Sequence, residues 1–395
     1  MANSGSRILV THVGSLVRPP EMIPYLEKIA AGEEVDQAAF AACEAEAVKK
    51  VVRERADVGV DIVSDGEYGK SGSWSFYILR RLTGIEARPL SDEEAKDPDS
   101  HIIGGRDREA FPEFYGEYDK RVLSSATRHT RLHVTGELSY TGQDEIQRDI
   151  ANLKAGLEGA DVLGGFLPVV APASALPNAV NDHYPDEESY LFALADALAV
   201  EYRAIIDAGL YLQVDDAFFP YMYEKLVPPM TMKDYRDWAE LRIGALNRAL
   251  EGIPPERVRY HVCWGSWNGP HIFDVAMKDI VDIVLSVNAG AYAFEAANPR
   301  HEHEWKVWKD VDLPAEKMLI PGLIAHSTNV VEHPELVAER LMKYANIVGR
   351  DRVMAGTDCG FSQSPLGARV HRTIMWAKLK ALAEGAEIAT RELWG

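Results

Sequence analysis

Three observations on the 395-residue sequence predict an α/β fold, a single (β/α)8 TIM barrel with a surface excursion near residues 85–130. Short β-branched or apolar runs alternate with helix-period segments along nearly the whole chain. Reactive and titratable residue types gather at the C-terminal ends of those runs, far apart in sequence. The length suits one elaborated barrel, with no internal repeat and no low-complexity linker. Strand–helix alternation of this extent implies a parallel sheet covered by helices, and a barrel closes such a sheet so that all its strand ends meet at one mouth.

The strand candidates, in order, are ILVTHVGS (8–15), VDIVSDGE (60–67), RLHVTGELS (131–139), GFLPVVAPAS (165–174), LYLQVDDA (210–217), RYHVCWGS (259–266), AYAFEAAN (291–298), MLIPGLIAHS (318–327) and RVMAGTDCG (352–360). Nine candidates compete for eight places. The third is the weakest, because it follows the polar excursion, and it is expected in a hairpin outside the barrel. Between the others lie amphipathic segments such as 187–209 and 333–349, each ending in a glycine suited to the residue after a helix.

Composition excludes several classes of function. The formal net charge is −19, from 42 Lys and Arg against 61 Asp and Glu. Nucleic acid and anionic membrane would both be repelled. No apolar run approaches the ~20 residues of a membrane helix. The first residues lack a basic segment followed by an apolar stretch and a cleavage site, so a cytoplasmic protein is expected. The three cysteines, Cys43, Cys263 and Cys359, exclude a disulfide framework. Cys43 lies in a helix-period segment and is expected to be a small core residue.

The strand ends carry Gly14-Ser15, Asp65-Gly66-Glu67, Asp215-Asp216, His261 and Cys263, Glu295, His326-Ser327 and Asp358-Cys359-Gly360. Successive side chains of a strand alternate between faces, so His261 and Cys263 share one. With Cys359 they form a set of two thiolates and one imidazole, a catalytic zinc pattern with an open position. Two thiolates would neutralise Zn2+. A substrate thiol entering the open position would lose its proton, and Glu295 would fill that position when no thiol is bound. A second histidine pair, His301 and His303, alternates with charged residues after Asn298-Pro299 and is expected to be a solvated loop.

These motifs resemble the cobalamin-independent methionine synthase family: its C-terminal catalytic half and its short single-domain members, in a superfamily shared with epoxyalkane:coenzyme M transferase. The resemblance runs from THVGS to TDCG with the motifs in the family's order. It implies zinc held by His261, Cys263, Glu295 and Cys359. It implies that Gly14 and Ser15 contact the carboxylate of homocysteine, that Glu67 and Asp215 grip its amino group, and that His326 moves a proton during methyl transfer. Two departures accompany it. The family's preceding second barrel has no counterpart, and the family's folate-stacking tryptophan falls at about Ser174. A folate donor is therefore not expected, and a corrinoid protein, an epoxide or another small electrophile would replace it.

The expected function is zinc-dependent alkyl transfer, methyl first, to a homocysteine-like thiol, as in methionine biosynthesis. The partners would be small molecules, with a homo-oligomer allowed. The alternative in the same fold is addition of a sulfonate thiol to an epoxide, with Arg18 or Lys70 as the cationic anchor near Ser15. A non-catalytic zinc-containing barrel that binds a small ligand is the other class.

Overall fold

In the computed structural model, residues 5–70, 72–92, 94, 104–122 and 130–395 are described. The strands, in chain order, are β1 (Leu9–Val10), β2 (Ile62–Val63), β3 (Ile85–Pro89), β4 (Thr130–Val134), β5 (Gly164–Val170), β6 (Ala179–Asn181), β7 (Tyr211–Asp216), β8 (Val258–Val262), β9 (Ala291–Phe294), β10 (Met318–Ile324) and β11 (Met354–Thr357). Eight of them form one parallel sheet in the order β1-β11-β10-β9-β8-β7-β5-β2. A parallel bridge from Thr11 to Ile62 joins its two ends. The predicted (β/α)8 barrel is the observed fold.

Packing explains why these runs read as almost continuously apolar: helices cover one side and the barrel interior the other. Leu9, Ile62, Phe166, Ala291, Ala293, Met318, Ile320 and Met354 form an interior cluster of their own. On β8 the side chains alternate, with Val258, Tyr260 and Val262 joining the main core beneath the helices. Arg259 turns inward, lies 3.9 Å over the Phe166 ring, and donates to Thr11 Oγ1 (2.9 Å) and the His12 carbonyl (2.8 Å). His261, two residues on, therefore also points inward, one step nearer the mouth. The expected helix-terminating glycines are present: Gly209 and Gly349 adopt φ of +86° and +99° just beyond the helices Glu187–Asp207 and Pro334–Val348.

The third candidate lies outside the barrel, as expected. It is β4, paired antiparallel to β3 and parallel to β6 in a separate three-stranded sheet. The excursion itself corrects the sequence reading. Its residues 93, 95–103 and 123–129 lie outside the described ones. Its short helices Arg106–Ala110 and Pro112–Val122, however, fold across the barrel mouth and do not merely decorate the surface. The Asp107 amide donates to Glu224 (3.0 Å), Asp107 accepts the Ile272 amide (3.2 Å), and Tyr115 accepts the Trp267 indole N–H (3.2 Å). Cys43 sits half-buried at the margin of the core. Among the described residues no helix is long and apolar enough to cross a membrane.

Candidate metal centre and cavity

Strand register sets the first ligand. Asp215 of β7 lies directly opposite His261 of β8. Its Oδ1 is 3.0 Å from His261 Nδ1 and accepts from Gln213 Nε2 (2.9 Å), while Gln213 also donates to the Val13 carbonyl. A carboxylate on Nδ1 fixes the ring and leaves Nε2, 3.3 Å from the Asp358 carbonyl, as the nitrogen that could act as a ligand. Cys263 follows β8 and Cys359 follows β11. The ligand atoms of His261, Cys263 and Cys359 all lie within 4.8 Å of one another, and all three residues are buried. The loop after β11 is held in place by Asp358, whose Oδ1 accepts the amides of Ala296 and Ala297, both at 2.8 Å. Gly360 packs so tightly on Ser15 that a Cβ there would strike its hydroxyl.

The electrostatics suit a cation. A hydrogen bond from Cys263 holds the Cys359 thiol well below its usual range against the opposing effect of burial, and His261 adds to it. The same bond, with burial, pushes Cys263 up. Burial would lower His261, but its bonds to Asp215 and Cys359 outweigh this and raise it to about 10. Two soft sulfur donors and one imidazole, buried together with no carboxylate among them, fit zinc better than a hard cation.

The other assigned residues divide. Glu295, at the end of β9, is not drawn into the cluster: its oxygens accept the Trp264 amide (3.0 Å) and the Asn298 side chain (2.8 Å). His326 is buried beyond β10 with neither ring nitrogen hydrogen-bonded, and burial lowers it against the opposing charge of Cys359. Glu67 lines the cavity from a strained turn. Gly66 and Glu67 take φ of +73° and +60°, held by Asp65 Oδ1 on the Glu67 amide (2.9 Å) and by Arg18 on its carbonyl (2.5 Å). A side chain at Gly14 would come within 2.9 Å of Glu67 Oε1, so glycine is what admits this carboxylate. Lys70 pairs with Glu67 Oε2 at 3.2 Å, both side chains being buried. Burial raises Glu67, Lys70 opposes and nearby Asp215 adds, leaving it at about 7. Lys70 is thus paired with the Glu67 carboxylate and Arg18 with its backbone carbonyl, while Arg18 Nε and Lys70 Nζ keep no hydrogen-bond partner among the described residues.

Beside the cluster lies a cavity of about 260 Å³. Ser15, Glu67, Asp215, His261 and both cysteines reach it; His326 does not line it. Its wall is aromatic, from Trp74, Tyr115, Phe218, Tyr221 and Trp267, the last edge-on to Tyr221 with ring centroids 5.2 Å apart. Trp264 is core: it stacks on His301 at 4.0 Å and donates to the Val275 carbonyl. Ser174 is fully buried, donates to Asp216 (2.7 Å) and accepts the Phe218 amide (3.2 Å), so it supports an aromatic rather than forming the wall itself. His301 corrects the solvated-loop expectation. It is buried between Glu304 (2.9 Å) and Asp274 (3.0 Å), while His303 alone is exposed.

No family model matches the chain. It is 26% identical over 383 residues to 2-hydroxypropyl-CoM lyase of Xanthobacter autotrophicus, covering 88% of this chain and 85% of that one. It is 22% identical over 358 residues to methionine synthase of Thermococcus kodakarensis, covering 87% and 82%. The chain is a homologue of the methionine synthase and 2-hydroxypropyl-CoM lyase group. The suspected family and its wider superfamily both fit. In fold, a B12-independent methionine synthase from a Shewanella species, solved with selenomethionine, superposes with a TM-score of 0.69 over 98% of this chain and 99% of that one, at 18% identity.

Proposed function

We propose that this homologue is a zinc-dependent transferase, built on a single barrel domain, that alkylates a thiol. The observation that carries the reading is the convergence of His261, Cys263 and Cys359 at one edge of the cavity. Zinc held there would supply the Lewis acidity that keeps a substrate thiol deprotonated at neutral pH. Glu295, one loop away, would be a reserve fourth ligand. A cytoplasmic setting suits a site whose two cysteines must stay reduced.

The chain's own residues then bind and orient. Ser15 and the Gly14 turn face the acid group of the thiol substrate, and Glu67 and Asp215 face its amino group if it has one. His326, which lies outside the cavity lining but within electrostatic reach of Cys359 and has no hydrogen-bond partner among the described residues, would take the proton the thiol gives up. The aromatic wall excludes water and presses the donor against the sulfur, which supplies proximity. As the sulfur–carbon bond forms, the bond from that carbon to its leaving atom breaks and the leaving group departs with the electron pair. The names of the homologues, methionine synthase and 2-hydroxypropyl-CoM lyase, support alkyl transfer to a thiol. A second reading, addition of a sulfonate thiol to an epoxide, gains from the Lys70–Glu67 pair, which already neutralises a carboxylate that an amino group would seek.

The test is thioether formation by the zinc-loaded protein, from homocysteine or 2-mercaptoethanesulfonate, with methylcobalamin, methyl-tetrahydrofolate or a small epoxide. Product is expected from a small or protein-borne electrophile and not from the folate. Turnover with methyl-tetrahydrofolate near ~10 per second, the usual enzyme median, would overturn the donor assignment. Absence of product from every thiol would overturn the function.

A further inference from the structure

Most charged groups around the cavity have partners: Asp216 accepts from the Ser174 and Tyr260 hydroxyls and Glu224 from the Asp107 amide, though neither meets a cation among the described residues. Asp119 is bonded by Arg108, Glu67 is paired with Lys70, and Asp215 accepts from Gln213 and bonds His261. Arg369 is a cation lining the cavity with no carboxylate partner among the described residues. Among the described residues its guanidinium meets only the Tyr118 hydroxyl, at 3.5 Å, and its Nε is buried without a partner. A guanidinium lining a half-enclosed cavity loses hydration that one distant hydroxyl does not restore; an anion would.

The backbone places Arg369 at the acid-binding corner. Residues 361–369 form a hairpin, with Ser362 bridged to Ala368 and the Arg369 amide donating to the Phe361 carbonyl (2.9 Å). That hairpin starts directly after Cys359-Gly360, and the Phe361 amide donates to the Ser15 carbonyl (2.8 Å). Two backbone hydrogen bonds in series thus tie Arg369 to Ser15. Arg369, Ser15, Gly360 and both cysteines all line the same cavity.

We infer that Arg369 anchors the anionic group, carboxylate or sulfonate, of the thiol whose sulfur is presented to His261, Cys263 and Cys359. The inference rests on the thiol-alkylation reading and deepens it. The planar fork of arginine suits two oxygens of one acid group. With Lys70 already on Glu67, the anion and not an ammonium carries recognition.

The experiment is calorimetric titration of the zinc-loaded protein with 3-mercaptopropionate, 2-mercaptoethanesulfonate and the neutral 2-mercaptoethanol. Arg369→Gln should weaken both anionic thiols by about tenfold to a hundredfold, the range for a charge-assisted hydrogen bond, and leave the neutral thiol unchanged. Arg369→Lys should restore part of the loss. The anion that binds wild type more tightly identifies the acid group. Equal loss for all three thiols, or no loss for the anionic ones, overturns the anchor while leaving thiol binding intact. Wild-type protein that binds none of the three overturns the thiol reading itself, and the anchor with it.

Discussion

Two buried histidine clusters sit on either side of the loop that follows β8, and they differ in what they leave open. At one, His261 has a single carboxylate behind it and two sulfurs in front, facing a cavity. At the other, Asp274 bonds both His271 (2.9 Å) and His301 (3.0 Å), and His301 also bonds Glu304 (2.9 Å). The second cluster is closed: its groups bond one another, the Trp267 carbonyl and the Met277 amide, and Trp264 and Trp267 lie against its rings. The first is closed only from behind. Histidine and acid together do not mark a site; an imidazole whose far side meets soft donors and a cavity does.

The largest expected effect breaks the closed cluster without touching the open one. Asp274→Ala leaves two buried imidazoles without their shared partner and should cost about 3–5 kcal/mol in urea unfolding, the range for halving a buried ion pair. Metal content should be unchanged. The pH dependence sharpens the contrast. Burial would lower His271 and His301, but Asp274, joined at His301 by Glu304, outweighs it and lifts them to about 9 and about 10. Both lie above the ordinary histidine value of about 6.5, so their stabilisation is complete below that pH and is lost as pH rises through 9 to 10. Wild type should lose stability across that window, and Asp274→Ala should show a smaller loss, since Glu304 alone still favours the charged His301.

A smaller effect is expected behind the open cluster. Asp215→Asn keeps the shape but weakens the hold on His261 Nδ1, and should lower zinc affinity by about tenfold to a hundredfold in a chelator competition. If affinity is unchanged, Asp215 does not orient the ligand. The smallest effect is at His303, which shares a short motif with His301 but is exposed. His303→Ala should shift stability by no more than about 0.5 kcal/mol and leave zinc in place.

The sequence made the open cluster legible and hid the closed one for physical reasons. His261 and Cys263 alternate within a strand, and period-two alternation survives in one dimension. Asp274 is far in sequence from His301, so only the 3₁₀ turn that brings Glu304 beneath His301 offered a clue, through its three-residue spacing. Strands β3 and β6 were invisible because nearly every residue of IEARP is exposed and AVN is only three residues long. Without a buried face there is no apolar alternation to read. The aromatic wall was hidden for another reason. Tyr115 lies in a polar helix of the excursion, and its partner Trp267 is 152 residues away. The pair between Glu67 and Lys70, three residues apart on a turn, was readable by spacing.

The central claim is that His261, Cys263 and Cys359 hold one zinc ion. Metal analysis of purified wild type and Cys359→Ser, with circular dichroism to confirm the fold, tests it most directly. Wild type should carry zinc at about one per chain and the serine variant almost none, with the barrel intact because the site lies at its mouth. A folded serine variant that retains a full equivalent of zinc would contradict the assignment.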